Sequence, residues 1–386
     1  MSLSEDQLFS QEGPLGIRFD FNEGCRLSLP FSGEWTVNIW DIDTQCLIFS
    51  QKLDGGIIQT RKKYYMNFFF EVWKKDEKIF SHQLNLREKP VLINMDKGGI
   101  GDHLAWIAHV EHFRKQHGCN ITCLVRTDLR KIFEEYFPDI DFCSSLSEGK
   151  NFYATYKVLI FYNDYDLEYS PIDYREAGLV VYAACILGLP LIERRPDFSC
   201  ITYNRPIAER YVCIATQASS HCKFWNNPDG WLQVVEFLKK KGYRVICLDK
   251  QLFSGHGRSW HYIPYGAEDE TGDRPFQERI QWLQHADFFI GLSSGLSWLA
   301  WAVGCPIIMI SGFTAEKNEF FTPWRVLNRN VCNSCANDIR CQLDPTDYFW
   351  CPRYKNTERE FECSKNISVN HVIMHINSII SKTSLG

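Results

Sequence analysis

Five cysteines lie close together near the end of the chain, and their spacing is its strongest chemical signal. Cys332 and Cys335 form a CxxC pair, Cys351 follows after sixteen residues, and Cys363 follows after a further twelve. Four thiolates suit tetrahedral zinc or a single iron of the rubredoxin kind. We expect these four cysteines to form a metal finger over residues 331–364. Its role would be structural, because four thiolates leave no open position for a substrate.

Other interpretations of this segment stay open at the level of the residues. A redox CxxC usually follows the first strand of its fold and opens a helix, whereas this pair lies near the C-terminus. Inert, packed thiols are a second alternative. Cys341 is the spare cysteine, and it could replace Cys363 as a ligand. Disulfides are not expected, because other cysteines lie in apolar strand-like runs such as YVCIAT and YRVICLD, which indicates a reducing, cytoplasmic compartment.

A glycine-rich loop, MDKGGIGDHLAW, leads from an apolar run into a helical pattern at residues 95–106. Gly99 and Gly101 permit close approach of the backbone, and the N-terminus of the helix offers N–H groups to an anion. The glycine spacing is neither a dinucleotide fingerprint nor a Walker loop. Asp102 stands where a helix cap is common, so it either caps the helix or acts as a general base facing a cleft.

Two loops in the second half of the chain have residues that suit a nucleoside diphosphate. In ATQASSHCKFWN (residues 215–226), Lys223 and Trp225 could contact a diphosphate and a flat ring, although an ordinary surface loop would look similar. In GLSSGLSWLAWAVGCP (residues 291–306), backbone amides at the start of a buried helix could cradle an anion, or merely begin the helix. The candidate residues of this third loop are Ser293, Ser294, Gly295 and Leu296.

Composition excludes several classes of protein. A net charge of −5 argues against a general nucleic-acid binder and a polybasic membrane anchor. The start, MSLSEDQLFSQEGPLG, lacks the basic and apolar regions of a secretory signal. Residues 288–315 carry no charged side chain, but their glycines, serines and proline predict strand, loop, helix and strand rather than a membrane span. We expect no membrane insertion.

The order of the predicted elements divides the chain into three parts. Residues 17–88 alternate polar and apolar positions between turn signals, which predicts a small antiparallel β-domain over residues 1–89. Residues 90–205 and 206–386 alternate strands with helices, including a helix over YREAGLVVYAACILGL and a strand at YKVLIFY. This alternation predicts an α/β fold with two Rossmann-like domains, the second including the finger, and ligands at the carboxyl ends of their strands.

The loops resemble those of a known enzyme family. GGIGDHL is similar to the Gly-Asp loop of the ADP-heptose glycosyltransferases of family 9, and SSGLSWLA resembles their Thr-Gly-Leu-Ser-His phosphate loop. With the β-domain and the cysteine finger, nearly the whole chain resembles the bacterial autotransporter heptosyltransferases. This resemblance implies a GT-B-like enzyme that transfers heptose from ADP-heptose to serine hydroxyls of autotransporter adhesin passenger domains before export.

The resemblance also implies roles for individual residues. Asp102 would remove the proton from the acceptor hydroxyl. Lys223 and the amides of the phosphate loop would stabilise the leaving ADP. The other donor contacts implied are Thr216 and Gln217 at the phosphates, Asp249 at the ribose hydroxyls, and Gly99 and Gly101 in the first loop. The family favours iron over zinc in the finger, one ion per subunit, and a large homo-oligomeric ring, a dodecamer.

The sequence departs from the family pattern at two positions. Ser293 stands where lipopolysaccharide heptosyltransferases commonly have Asp, and Trp298 stands where they have His. These differences weaken the case for a lipopolysaccharide-core acceptor. Two rivals remain: a lipopolysaccharide-core heptosyltransferase, and a non-catalytic scaffold that retains a nucleotide pocket.

Overall fold

The computed structural model describes residues 9–31, 33–147 and 150–383, so the first eight residues of the predicted β-domain lie outside the described residues. The strands are β1 Gln11–Glu12, β2 Arg18–Asn22, β3 Arg26–Leu29, β4 Trp35–Asp41, β5 Cys46–Leu53, β6 Gly56–Gln59, β7 Phe68–Lys74, β8 Glu77–Gln83, β9 Pro90–Asn94, β10 Asn120–Leu124, β11 Asp141–Cys143, β12 Ala154–Lys157, β13 Tyr211–Ile214, β14 Arg244–Cys247, β15 Phe253–His256, β16 Ser259–Tyr262, β17 Glu268–Asp269, β18 Phe289–Leu292, β19 Ile307–Ile310 and β20 Trp324–Val326. The α-helices are α1 Ile100–His117, α2 Thr127–Tyr136, α3 Tyr174–Ala177, α4 Leu179–Ile186, α5 Gly230–Lys240, α6 Phe276–His285, α7 Gly295–Val303, α8 Glu362–Lys365 and α9 Val369–Thr383.

The described residues pack as two compact units. The first contains the residues up to Gly98, with His109–Asp173 and Tyr182–Ile192, and the second contains Gly99–Ala108, Tyr174–Val181 and the residues from Glu193 onward. The domain boundaries after residues 89 and 205 remain predictions, because these units follow packing rather than an independent domain assignment.

The N-terminal strands form antiparallel pairs, as the alternation of polar and apolar residues predicts. Four of them make a separate sheet in the order β5-β4-β7-β8. Every second side chain of β4 and β7 is buried, which is the period of a sheet with one face toward a core. The other N-terminal strands join a second sheet, where β2 pairs in parallel with β12 beside the parallel strands β9, β10 and β11.

The second unit is built on an entirely parallel six-stranded sheet in the order β17-β14-β13-β18-β19-β20. Its central strands are fully buried, as continuous apolar runs in a sheet covered on both faces require. The uncharged stretch 288–315 forms β18, a loop, α7 and β19, which confirms the predicted order. Each helix in the described part of the chain is too short or too polar to span a bilayer.

Two predicted elements differ in their bounds. YREAGLVVYAACILGL contains two helices, α3 and α4, rather than one. Gly178 separates them with a φ of +79°, and a Cβ there would lie 2.3 Å from the carbonyl oxygen of Lys317. Only glycine accommodates both conditions, so the helix must break at this residue. The strand predicted at YKVLIFY begins earlier and ends at Lys157.

Candidate active site and metal centre

The predicted donor residues of the second unit lie at one edge of its sheet. β14, β13, β18 and β19 are consecutive parallel neighbours, so the loops that follow them leave from the same edge. These loops contain Asp249, Lys223, the residues 293–296 and Phe313 respectively. Ligands of open α/β sheets bind at this edge, which makes it the candidate donor site.

Asp249 holds the start of the β13 loop (residues 215–226). Its Oδ2 accepts hydrogen bonds of 2.8 Å from both the N–H and the hydroxyl of Thr216, and its Oδ1 accepts one of 3.1 Å from the N–H of Gln217. Burial raises the pKa of Asp249 above its ordinary value, while these donors oppose that shift. Contacts of Asp249 with a ribose, and of Thr216 and Gln217 with phosphates, remain predictions.

Lys223 is a half-buried cation at the end of a short 3₁₀ turn, His221–Lys223. Its Nζ lies 5.5 Å from the centre of the Phe313 ring, which places the β13 loop across the end of β18 to reach the loop after β19. No carboxylate within the described residues forms an ion pair with Lys223, so its charge is available to an anionic ligand.

Trp225 does not present the flat surface that the sequence suggests for a nucleotide ring. Its side chain is only 2% exposed in the core of the second unit, and its indole N–H donates to the carbonyl of Ile367 at 3.0 Å. The prediction of a stacking role for Trp225 is therefore wrong. An aromatic residue in a loop is often a core residue when the loop packs against a later helix.

The third loop begins helix α7 with two N–H groups directed out of its first turn. The N–H of Ser294 donates to the carbonyl of Leu292 at 2.7 Å, so it is already used within the loop. Gly295 and Leu296 open the helix, where N–H groups lack intrahelical acceptors and attract anions. The predicted cradle is therefore centred on Gly295 and Leu296.

Ser293 is held by a buried carboxylate that the sequence analysis did not identify. Its hydroxyl donates to Oε1 of Glu319 at 2.5 Å, and Oε2 of Glu319 accepts a 2.9 Å hydrogen bond from the guanidinium of Arg325. Glu319 is 3% exposed. A buried, paired carboxylate fixes its partners, so Glu319 anchors the loop that precedes the α7 N-terminus. Nothing local in the sequence links Ser293 with a residue twenty-six positions later.

Asp102 occupies the first turn of α1, where it makes a capping contact. Its Oδ2 accepts a hydrogen bond of 2.5 Å from the N–H of Gly99, the geometry of a capping box. The adjacent His103 is buried, and its Nδ1 lies 2.9 Å from the carbonyl oxygen of Gly99. The cap does not exclude a base, because a carboxylate has about four lone-pair sites.

The N-termini of α1 and α7 pack directly against each other. A Cβ on Gly101 would lie 2.7 Å from Cδ1 of Trp298, and a Cβ on Gly295 would lie 2.9 Å from the Cβ of Ile100. Both glycines are therefore required for close approach of the two helices. This packing brings Asp102 to the same region as the Gly295–Leu296 cradle.

The four predicted metal ligands line one cavity. Cys332, Cys335, Cys351 and Cys363 share it with a fifth cysteine, Cys222. The sulfurs of Cys332 and Cys335 are 3.9 Å apart, close to the roughly 3.8 Å between ligands of a tetrahedral ion with metal–sulfur bonds of about 2.3 Å. A complete arrangement of three or more His, Cys, Asp or Glu ligands is not present in the part of the chain described.

The chemistry of this cavity fits a thiophilic cation. Burial raises the pKa of Cys363 to about 12 and also raises that of Cys335, so these thiols are protonated without a positive partner. A bound metal would supply that charge and hold them as thiolates. Arg353 adds a donor 3.4 Å from the sulfur of Cys332.

The remaining cysteines of this region have different surroundings. Cys341 is buried in the adjoining apolar cluster but does not line the cavity, which favours Cys363 as the fourth ligand. Cys222 was not identified from the sequence, because it belongs to the β13 loop more than a hundred residues before the finger.

The parallel sheet of the second unit and its edge loops fit one Rossmann-like domain of a GT-B-type glycosyltransferase, and the comparisons with known proteins show that class. The model of glycosyltransferase family 9 (heptosyltransferase) matches residues 188–346, and that of the N-terminal domain of glycosyltransferase TibC matches residues 13–76. Autotransporter heptosyltransferase Aah of Escherichia coli is 42% identical over 383 residues, 98% of this chain and 97% of Aah. The chain therefore belongs to the autotransporter heptosyltransferases.

A solved structure and a further relative complete the comparison. The crystal structure of dodecameric, iron-containing heptosyltransferase TibC in complex with ADP-D-β-D-heptose has a TM-score of 0.94, with 39% identity over 99% of this chain and 100% of that chain. Inactive autotransporter heptosyltransferase BimC of Burkholderia thailandensis is 36% identical over 95% of this chain and 86% of BimC. The fold class predicted from the sequence is confirmed.

Proposed function

We propose that this chain transfers heptose from ADP-heptose to serine hydroxyls of an autotransporter adhesin passenger domain, in the cytoplasm and before export. The observation that carries the proposal is the packing of the α1 N-terminus on the α7 N-terminus through Gly101 and Gly295. It supports a role for Asp102 near the N–H groups of Gly295 and Leu296, and Lys223 belongs to a loop at the same edge of the sheet. A glycosyl transfer needs a base for the acceptor hydroxyl next to groups that stabilise the leaving phosphate.

The proposed reaction uses the carboxylate and the cradle at the same time. The serine oxygen forms a bond to C1 of the heptose while the bond from C1 to the β-phosphate oxygen breaks. Asp102 accepts the hydroxyl proton, without which serine is a poor nucleophile. ADP leaves with the electron pair of the broken bond, and Lys223 and the N–H groups of Gly295 and Leu296 stabilise its charge.

The finger has a structural role in this proposal. Cys332, Cys335, Cys351 and Cys363 would hold one iron ion per subunit, with zinc as the alternative, and would thereby order a segment of little regular structure. We further propose that the chain assembles as a homo-oligomer, a dodecamer like TibC. Support comes from the 99% coverage of this chain in the match to that dodecameric, iron-containing protein.

Incubation of the purified protein with ADP-heptose and a passenger fragment tests the proposed function. We expect ADP release together with mass increments of one heptose each, which peptide fragmentation should locate on serines. A non-catalytic scaffold would bind ADP but release none from ADP-heptose. Transfer of heptose to a lipopolysaccharide-core acceptor, with none to the passenger fragment, would favour a lipopolysaccharide-core heptosyltransferase.

A further inference from the structure

The β13 loop and the cysteine finger are joined by several direct contacts. The N–H of His221 and the hydroxyl of Ser220 both donate to the carbonyl of Tyr348, at 2.9 and 3.1 Å. At the other end of the loop, Nδ2 of Asn226 donates to the hydroxyl of Ser364 at 2.8 Å. The segment that carries Lys223 is therefore tied to the finger on both sides.

Two further side chains connect Lys223 with the interior of the finger. Cys222, its neighbour in sequence, is 5% exposed and lines the cavity of the four metal-ligand cysteines. Phe313, which lies against the Lys223 ammonium, lines the same cavity. Phe313 and Cys222 are thus shared between the surroundings of Lys223 and the lining of the cysteine cavity.

We infer that the cysteine finger is a wall of the donor site and that it positions Lys223 for the diphosphate of the donor. Asn226, Cys222 and Phe313 are the positioning residues. This inference rests on the proposed function, because it assigns Lys223 to the diphosphate. It gives the finger a role beyond assembly. If the finger is disordered, Lys223 must become ordered when the donor binds, and this entropic cost lowers the affinity for the donor.

The physical reason is the scarcity of regular structure in the finger. Between β20 and α9 the chain forms only the short 3₁₀ turn Cys335–Asn337 and the four-residue helix α8. The backbone hydrogen bonds within this segment are short-range turn bonds, such as those from the N–H of Trp350 to Asp347 and from the N–H of Lys355 to Cys351. Metal ligation would add links between turns that are far apart in the sequence. The β13 loop takes its conformation from this segment through the contacts of Ser220, His221 and Asn226.

Asn226→Ala tests the connection without changing a thiol. It removes the hydrogen bond to Ser364 and the donations to the carbonyls of His221 and Phe224. By calorimetry on the full-length protein, we expect ADP affinity to fall about two- to tenfold, the range of one or more lost hydrogen bonds. Metal content and oligomeric state, from elemental analysis and light scattering, should equal those of the wild type.

Gln284→Ala is the matched control, because Gln284 in α6 also donates to backbone carbonyls, those of Phe198 and Ile201, but away from the β13 loop. It should leave ADP affinity unchanged even where it lowers the melting temperature. An Asn226→Ala protein with wild-type ADP affinity would overturn the inference, as would an equal loss in Gln284→Ala.

A second experiment removes the metal from the full-length wild-type protein with a chelator and measures the affinity for ADP. We expect ADP affinity to fall about tenfold or more, and to return when iron is restored. Unchanged affinity after complete removal would overturn the inference. If the untreated wild-type protein fails to bind ADP, the proposed function fails instead, and the two failures are thereby distinguished.

Discussion

At the scale of single residues, the charged groups of the proposed donor site have different roles. Asp249 accepts hydrogen bonds from backbone N–H groups of the β13 loop, and Glu319 accepts one from the Ser293 hydroxyl, so both carboxylates hold loops in place. Lys223 has no carboxylate partner within the described chain, and its nearest aromatic neighbour is Phe313. A cation without a carboxylate partner, at the same sheet edge as the N-terminus of a helix, suits a diphosphate.

Lys223→Ala should therefore weaken ADP binding. Loss of a charge-assisted contact corresponds to about 1.5–3 kcal/mol, measured by calorimetry with ADP. Lys239→Ala is the control, because Lys239 in α5 donates to the carbonyl of Gly266 and does not belong to the edge loops. An unchanged affinity in Lys223→Ala would place the diphosphate elsewhere in the protein.

At the scale of elements, the site depends on the close approach of α1 and α7. Two glycines, Gly101 and Gly295, make that approach possible, and Trp298 closes it from the α7 side. Trp298 is 2% exposed, which makes it a packing residue. The first turn of α1 is consequently fixed by packing as well as by the cap of Asp102.

Gly101→Ala should disturb this contact, since the added methyl would lie 2.7 Å from Trp298. We expect the free energy of unfolding to fall by about 1–3 kcal/mol, the range for overpacking, with a loss of transfer activity. Gly99→Ala is the matched control, because its Cβ would lie 3.6 Å from Asp102 and should cost less than about 1 kcal/mol. Equal melting curves for the two variants would contradict the proposed packing.

The order of strands and helices could be read from the sequence, because apolar runs and helical periodicity are local signals. The same holds for the loops at 98–102 and 293–296, where glycine and serine follow a buried strand. Contacts between residues far apart in the sequence cannot be predicted from these local signals. The parallel pairing of β2 with β12 and the contact of Ser293 with Glu319 depend on the tertiary fold. The burial of Trp225 cannot be predicted from the sequence for the same reason, since the carbonyl that accepts its indole N–H belongs to Ile367, 142 residues away.

At the scale of the whole molecule, the finger would connect the proposed donor site with the proposed assembly. The cavity of its four cysteines is lined in part by apolar side chains such as Phe313, Trp350 and Phe361. Burial raises the pKa of the Cys363 thiol to about 12, so this thiol carries its proton when no metal is bound. Metal binding must then displace protons, so retention of the metal should weaken as the pH falls.

Cys351→Ser should lose the metal and break the oligomer. The full-length wild type should hold one tightly bound iron or zinc per chain by elemental analysis, and the variant well below that, with a smaller mass by light scattering. Cys341→Ser is the control that should retain both properties, because Cys341 does not line the cavity. Full metal content in Cys351→Ser would contradict a four-cysteine site, and loss of metal in Cys341→Ser would reassign the fourth ligand.

The proposed transfer is tested most directly by the intact mass of a passenger fragment co-expressed with either the wild-type protein or Asp102→Asn. Asparagine can still accept the Gly99 N–H and caps a helix about as well as aspartate, so the variant should fold and bind ADP-heptose. It cannot accept the acceptor proton, and the rate should fall on the order of 10² to 10⁴. We predict heptose-sized increments with the wild type and an unmodified fragment with Asp102→Asn. Equal modification by both would show that Asp102 only caps α1, and no modification by the wild type would contradict the proposed function.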